Sequence, residues 1–261
     1  MNTDSLAASL FNVAGRVIVL TGAGGFLVGE MARSLGALGA RVVIADAKSD
    51  AADAVAAQVR KHGGEALSVT LDARHKADYE RVRDLTLSHW GRIDGAVLGA
   101  GINAPTPFLD IGVDEWNDIL AVQLTGTMLA CQVFGAQMLE QGKGSIVTIS
   151  SASAGPPLSK AFTYSVAKAG VKNLTQNVAR EWGTAGVRVN ALRPGFFPTE
   201  WSRTHFITPQ REAAILGHTA MRRYGQPSEL VGAVVWLLSD ASSFVTGAEI
   251  AVDGGFSAMT I

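Results

Sequence analysis

Short apolar runs rich in β-branched residues recur about every 25 residues along the chain, and this recurrence restricts the folds open to it. The runs are residues 16–21 (RVIVLT), 41–46 (RVVIAD), 66–71 (ALSVTL), 93–98 (IDGAVL), 144–150 (GSIVTIS), 187–192 (VRVNAL) and 248–252 (AEIAV). Between them apolar residues return with a period near 3.6. Leu27, Met31, Leu35 and Leu38 form one stripe, Val122, Leu129, Val133 and Met138 a second, and Val171, Leu174, Val178 and Trp182 a third. Strands too apolar to alternate, each followed by a helix, predict an α/β fold with a parallel sheet covered on both faces. Right-handed crossovers then favour a doubly wound sheet of about seven strands in one domain spanning 1–261.

Composition removes other classes. With 48% hydrophobic residues, 17% charged and a net charge of −1, the 261-residue chain can bury a core and is not a disordered one. No basic run offers nucleic acid a surface. One cysteine, Cys131, forbids an internal disulfide and fits a reducing compartment. The apolar stretch 17–28 is too short to span a bilayer, is cut by Gly22, Gly24 and Gly25, and lacks a basic lead-in. The expectation is a cytoplasmic protein without membrane association.

The first strand runs directly into Thr21-Gly22-Ala23-Gly24-Gly25-Phe26-Leu27-Val28-Gly29 and then a helix. A glycine-rich turn there lets backbone approach a pyrophosphate, and the helix N-terminus supplies N–H donors and partial positive charge. Asp46 ends the second strand, 24 residues after Gly22. Its carboxylate can accept from both adenosine ribose hydroxyls and repel a 2′-phosphate, which favours NAD; the alternative is a cap for the next helix. Asp72, just past the third strand, either meets the adenine amino group or caps a helix.

Tyr164 and Lys168 lie one turn apart in a segment, 162–181, that reads as helix, so both share a face. An ammonium close to a phenol favours the phenolate, which otherwise forms only near pH 10. Ser151 follows the fifth strand and can hold a substrate oxygen. The excursion 196–226 after the sixth strand carries Phe196, Phe197, Trp201, Arg203, His205, Phe206 and Arg211. It is either a substrate lid or a helical cover for the sheet.

These residues resemble the short-chain dehydrogenase/reductases over essentially 13–256. The resemblance rests on the Thr21-Gly22 turn, Asp46, Asp72, Ala100-Gly101, Ser151, Tyr164 with Lys168, Asn190, Pro194-Gly195 with Thr199, and Val252-Asp253-Gly254-Gly255. Within the family, Asn190-Ala191 followed by Pro194-Gly195-Phe196-Phe197, Thr199-Glu200 and Arg203 resembles the sugar-acid branch of fructuronate (mannonate) oxidoreductases and gluconate 5-dehydrogenase-like enzymes. The resemblance implies a Rossmann-type fold and a NAD-dependent interconversion of secondary alcohol and ketone on a sugar, polyol or sugar acid. It makes Tyr164 the general acid/base, Ser151 the oxygen-orienting group and Lys168 the residue that lowers the Tyr164 pKa and binds ribose. Gln123 stands where the family carries a relay asparagine; it keeps the amide and adds one methylene.

The implied cofactor residues are Gly22, Gly24, Gly25, Phe26, Leu27, Asp46, Asp72, Ala73, Gly99, Ala100, Gly101, Tyr164, Lys168, Pro194, Gly195, Phe197 and Thr199. Asn103, Ser153, Phe196 and Arg203 are the implied substrate residues, and no metal is expected. Departures from the family pattern are Phe26 and Val28 at glycine positions, Leu98-Gly99 in place of paired asparagines, and Gln123. Two other readings stand beside this one: a 3-oxoacyl or cyclic-alcohol reductase of the same family, and a non-catalytic dinucleotide-binding regulator. The family implies a homotetramer or homodimer; Trp236, Leu237, Leu238 and the apolar residues 256–261 suit either such an interface or the core.

Overall fold

A computed structural model describes residues 3–259. Its centre is a parallel sheet of β1 (Val17–Thr21), β2 (Arg41–Asp46), β3 (Glu65–Thr70), β4 (Gly95–Leu98), β5 (Gly144–Ile149), β6 (Val187–Pro194) and β7 (Glu249–Val252). The strands lie in the order β3-β2-β1-β4-β5-β6-β7, all parallel. Every residue of β1, β4 and β5 is buried, whereas the edge strands β3 and β7 are only partly covered. Central strands therefore read as continuous apolar runs, as expected for a sheet sandwiched between helices.

An N-terminal helix α1 (Thr3–Leu10) precedes β1. Helices α2 (Phe26–Ala37), α3 (Ser49–Lys61) and α10 (Val231–Leu238) cover one face; α4 (Lys76–Trp90), α6 (Gly126–Gln141) and α7 (Phe162–Trp182) cover the other. On the first face Met31 and Leu35 meet Val55, Val59 and Leu237; on the second Tyr79, Phe134 and Met138 pack beneath Ile146 and Val189. Burying each such large side chain stabilises the fold by about 1.5–3 kcal/mol. Leu237 and Leu238 belong to this core, and Trp236 packs against it. Leu38, expected to extend the α2 stripe, is half exposed because α2 ends at Ala37. Of the apolar C-terminal residues, Phe256 is buried, while residues 260 and 261 lie outside the described residues.

The long helix between β4 and β5 runs as α5 (Val113–Leu120), a π-helical turn (Ala121–Thr125) and α6. This 29-residue unit, Val113–Gln141, is long and apolar enough to cross a membrane, contrary to the reading of the sequence, but half of its most apolar window is buried inside the protein. It serves as a core helix. Two further helices, α8 (Glu200–His205) and α9 (Pro209–Gly217), fill the excursion after β6.

Candidate active site

Strand order reverses between β1 and β4, the position at which doubly wound sheets bind ligands beyond their carboxyl ends. The turn after β1 meets the loop after β4 there. Gly22 has φ +67°, and a Cβ on it would come within 2.7 Å of the Ala100 Cα and the Gly99 carbonyl oxygen. A Cβ on Gly24 would reach Ala51 at 2.7 Å, one on Gly101 the Gln123 amide at 2.7 Å, and one on Gly195 the Asp253 Cα at 2.6 Å. A Cβ on Gly99 would collide with Val28. These glycines were expected to admit a cofactor; the structure shows that most of them first admit neighbouring protein. Gly25 is the roomier one, with only the Gly22 carbonyl oxygen near its missing Cβ.

The turn still presents a dinucleotide cradle. Gly25 is the N-cap of α2 and gives no side-chain cap, and the first turn holds no acidic residue, so its N–H groups and partial positive charge face the strand ends. Phe26, at the first helical position, is about half exposed. Leu27 is half-buried. The Asp46 carboxylate accepts from the Gly24 N–H at 3.0 Å and the Lys48 N–H at 2.9 Å, which fixes it over the turn. The N-cap of α3 is Lys48, so Asp46 is not that helix's cap. A pyrophosphate on the α2 terminus and a ribose at Asp46 fit these groups.

Asp72 is not the cap of α4. The N-cap of α4 is His75, and the Asp72 carboxylate grips Arg74 through Nε at 3.0 Å and Nη2 at 2.6 Å. That guanidinium holds its pKa down at about 2. Ala73 is buried, and its carbonyl accepts from the Tyr79 hydroxyl.

Ser151, Tyr164 and Lys168 meet at the end of β5. Ser151 caps the turn Ala152–Ala154, accepts from the Ser153 N–H at 3.2 Å and sits where it pulls the Tyr164 pKa down. Ser153, expected on the substrate side, is buried instead and donates its hydroxyl to Ser151 at 3.1 Å, so it supports Ser151 from behind. Lys168, only 4% exposed, donates to the Ile149 carbonyl at 2.7 Å, and its Nζ lies 5.5 Å from the Tyr164 ring centre. Burial lowers the Lys168 pKa to about 7. Burial also raises that of Tyr164, against a smaller downward pull from Ser151. Desolvation thus acts on both groups, favouring the phenol at Tyr164 and the neutral amine at Lys168.

Gln123 sits in the π-helical turn, 1% exposed. Its Nε2 donates to the Ile102 carbonyl at 2.7 Å, its backbone carbonyl accepts from the Thr127 hydroxyl at 2.7 Å, and its Oε1 is buried without a partner. The amide thus braces the loop after β4 against Gly101. Single π turns recur where a functional side chain must be displaced from regular helical phase. Half-buried Asn103, on the same loop, accepts from its neighbour Ala104.

After β6, Pro194 is buried and the Gly195 N–H donates to the Val252 carbonyl. Thr199 caps α8 by accepting from the Ser202 N–H at 3.1 Å. Phe197 was expected against a cofactor, but its ring packs on Gly225 and the core. Phe196 stacks edge-on with Phe256, the centroids 5.1 Å apart. Phe196 and Phe197 line a cavity of about 350 Å³ shared with Thr219, Met221 and Asp253, which Ser151, Tyr164 and Lys168 do not line. Arg203 lies over the Tyr224 ring at 5.4 Å, within the excursion itself. The excursion touches the loop between Ser151 and α7 through Arg211, whose Nη1 donates to Ser159 at 3.0 Å. The side chain of Trp201 lies outside the described residues.

Sequence reading missed a charged group behind these residues: Ser150, Lys172, Arg193 and Glu249. The available signal was Arg193 and Glu249 inside apolar strand runs, since buried charges demand partners.

Comparison with known proteins agrees with this geometry. A family model described as enoyl-(acyl carrier protein) reductase matches residues 28–257. The D-threitol dehydrogenase of Mycolicibacterium smegmatis is 32% identical over 247 residues, covering 95% of each chain. A gluconate 5-dehydrogenase from Burkholderia cenocepacia, solved with NADP and tartrate, superposes with a TM-score of 0.92 at 30% identity, over 97% of this chain and 100% of that one. A 7α-hydroxysteroid dehydrogenase, solved with NADH and a 7-oxo bile acid, gives 0.90 at 30% identity, over 95% and 96%. Family match, fold and site together place this chain among the short-chain dehydrogenase/reductases, a family of oxidoreductases acting on small molecules.

Proposed function

We propose that the protein is a NAD(H)-dependent oxidoreductase that interconverts a secondary alcohol and a ketone on a polyol, sugar or sugar acid. The observation that carries the proposal is the convergence of Ser151, Tyr164 and buried Lys168 at one strand end. A bound nicotinamide supplies the hydride acceptor or donor at its C4 carbon. Tyr164 moves the proton: its hydroxyl gives a proton to the carbonyl oxygen in reduction and takes it from the alcohol in oxidation. Ser151 holds that oxygen, and Ser153 holds Ser151. Lys168, anchored on Ile149, would hold the ribose of a bound nicotinamide nucleotide and draw the Tyr164 pKa down to the extent that it stays charged.

Because burial keeps Tyr164 a phenol, the site as built is a proton donor, which suits ketone reduction near neutrality. Oxidation needs the phenolate and gains from alkaline pH. The Asp46 carboxylate over the α2 turn supports NAD over NADP. Solved relatives bind one or the other, so the discrimination falls to this side chain.

The chain functions as one catalytic unit in which residues 196–226 close over the substrate, with Arg211 reaching Ser159 as the observed link. The cationic Arg211, which reaches Ser159, suits a hydroxylated or carboxylated substrate. The proposal includes a homo-oligomer, supported by β7 being an edge strand and by the fully exposed Phe244, and a cytoplasmic location, supported by the buried free thiol of Cys131. Assaying a panel of polyols, sugar acids, 3-oxoacyl thioesters and cyclic alcohols with each cofactor tests it. Turnover of a polyol or sugar acid with NAD is expected. Turnover confined to thioesters, cyclic alcohols or NADP overturns the substrate or cofactor assignment, and nicotinamide binding without turnover would assign the chain a regulatory role.

A further inference from the structure

We infer that Glu249, at the first position of β7, is a positioning residue for the reaction: its carboxylate ties together the three chain segments that carry the site. The inference rests on Ser151, Tyr164 and Lys168 being the reaction centre. Glu249 is one of the least exposed carboxylates, its side chain 11% accessible. It accepts from the Ser150 hydroxyl at 2.8 Å, from Arg193 Nη1 at 3.1 Å and from Lys172 Nζ at 3.2 Å. Each partner is next to a residue of the site. Ser150 immediately precedes Ser151, Lys172 is one helical turn beyond Lys168, and Arg193 immediately precedes Pro194-Gly195.

The cluster completes a polar seam between α7 and β5. Lys168 holds the Ile149 carbonyl, Glu249 holds Ser150, and the Thr175 hydroxyl meets that of Thr148 at 2.7 Å. Lys168, Lys172 and Thr175 occupy positions i, i+4 and i+7 on one helical face. Ionic partners with fixed geometry specify register where apolar packing alone would tolerate sliding, and a misplacement of about 1 Å can cost about 10²-fold in rate. The charge count matters as well. Lys172 and Arg193 carry two positive charges against one on Glu249, with Lys168 a turn away and Asp253 coupled to Arg193 from beyond β7. Removing the Glu249 charge therefore makes the potential at Lys168 and Tyr164 more positive, which favours the phenolate and the neutral amine.

The test uses Glu249→Gln and Glu249→Asp in the full-length protein, with thermal melting, NADH titration and the pH dependence of kcat/KM on the substrate the panel identifies. For Glu249→Gln the expected result is a kcat lowered about 10²-fold, NADH affinity within about threefold of wild type, and a pH–rate limb moved to lower pH; Glu249→Asp returns the limb. Should Glu249→Gln not fold, Ser150→Ala, which deletes one hydroxyl, carries the test, with a lowered kcat expected at unchanged NADH affinity. Wild-type kcat and an unmoved limb overturn the inference. So does a rate loss that merely follows a lowered melting temperature and weakened NADH binding. Tyr164→Phe is run in parallel: if it keeps full activity, the reaction-centre assignment itself fails, a result distinct from an inactive Tyr164→Phe beside an unaffected Glu249→Gln.

Discussion

Replacing Lys168 by methionine should abolish activity yet stabilise the fold at neutral pH. Burial lowers the pKa of this lysine from 10.5 to about 7, so between those values the unfolded chain binds a proton that the folded protein does not. Stability therefore rises with pH through that window; the penalty is complete below pH 7 and gone above 10.5. At 1.36 kcal/mol per pKa unit the penalty is about 4 kcal/mol at pH 7 and about 1 kcal/mol at pH 10. Methionine removes the penalty but leaves the Ile149 carbonyl without its donor, at a cost of about 1–3 kcal/mol. The net expectation is a gain of about 1–3 kcal/mol at pH 7 that shrinks by about 3 kcal/mol at pH 10. Urea unfolding of wild type and Lys168→Met at both pH values measures the difference, and groups common to both proteins cancel. A gain equal at both pH values, or a variant less stable at pH 7 than at pH 10 relative to wild type, would refute the reasoning.

Asp46→Asn keeps an acceptor for the Gly24 N–H but removes the charge, so it should shift kcat/KM about tenfold or more toward NADP, read from initial rates with each cofactor. Gly22→Ala should destabilise the protein by about 3 kcal/mol, lowering the melting temperature by about 6 °C, because φ of +67° and backbone atoms of Ala100 at 2.7 Å both oppose a methyl group. Loss of less than about 1 kcal/mol would mean that the turn relaxes freely.

The sheet was legible because fully buried strands draw on a narrow composition: β1, β4 and β5 are predominantly apolar, their few polar residues (Thr21, Ser145 and Thr148) are small, and each is punctuated by the glycine or serine that follows. The paired placement of Tyr164 and Lys168 followed from helical spacing alone. What the sequence concealed depends on register and on tight packing. Glu249 and Ser150 are 99 residues apart and meet only because β5, β6 and β7 are neighbours. The π-helical turn that buries Gln123 has no local spelling, since Ala121–Thr125 is as compatible with an ordinary helix. Glycines at 22, 99 and 101 announced a close approach without saying to what, and the partners turned out to be the adjoining loop, the Val28 side chain and the Gln123 amide respectively. Arg203 and Phe197 resembled binding residues in one dimension, yet the excursion folds both onto its own Tyr224 and Gly225.

The central claim is that the Tyr164 hydroxyl carries the proton in a reaction whose oxygen is held by Ser151. Steady-state rates of Tyr164→Phe on the identified alcohol or ketone, with NADH binding measured on the same preparation, test it most directly. A rate lowered by about 10³-fold with NADH affinity preserved is the expected result; a rate within about threefold of wild type would contradict it.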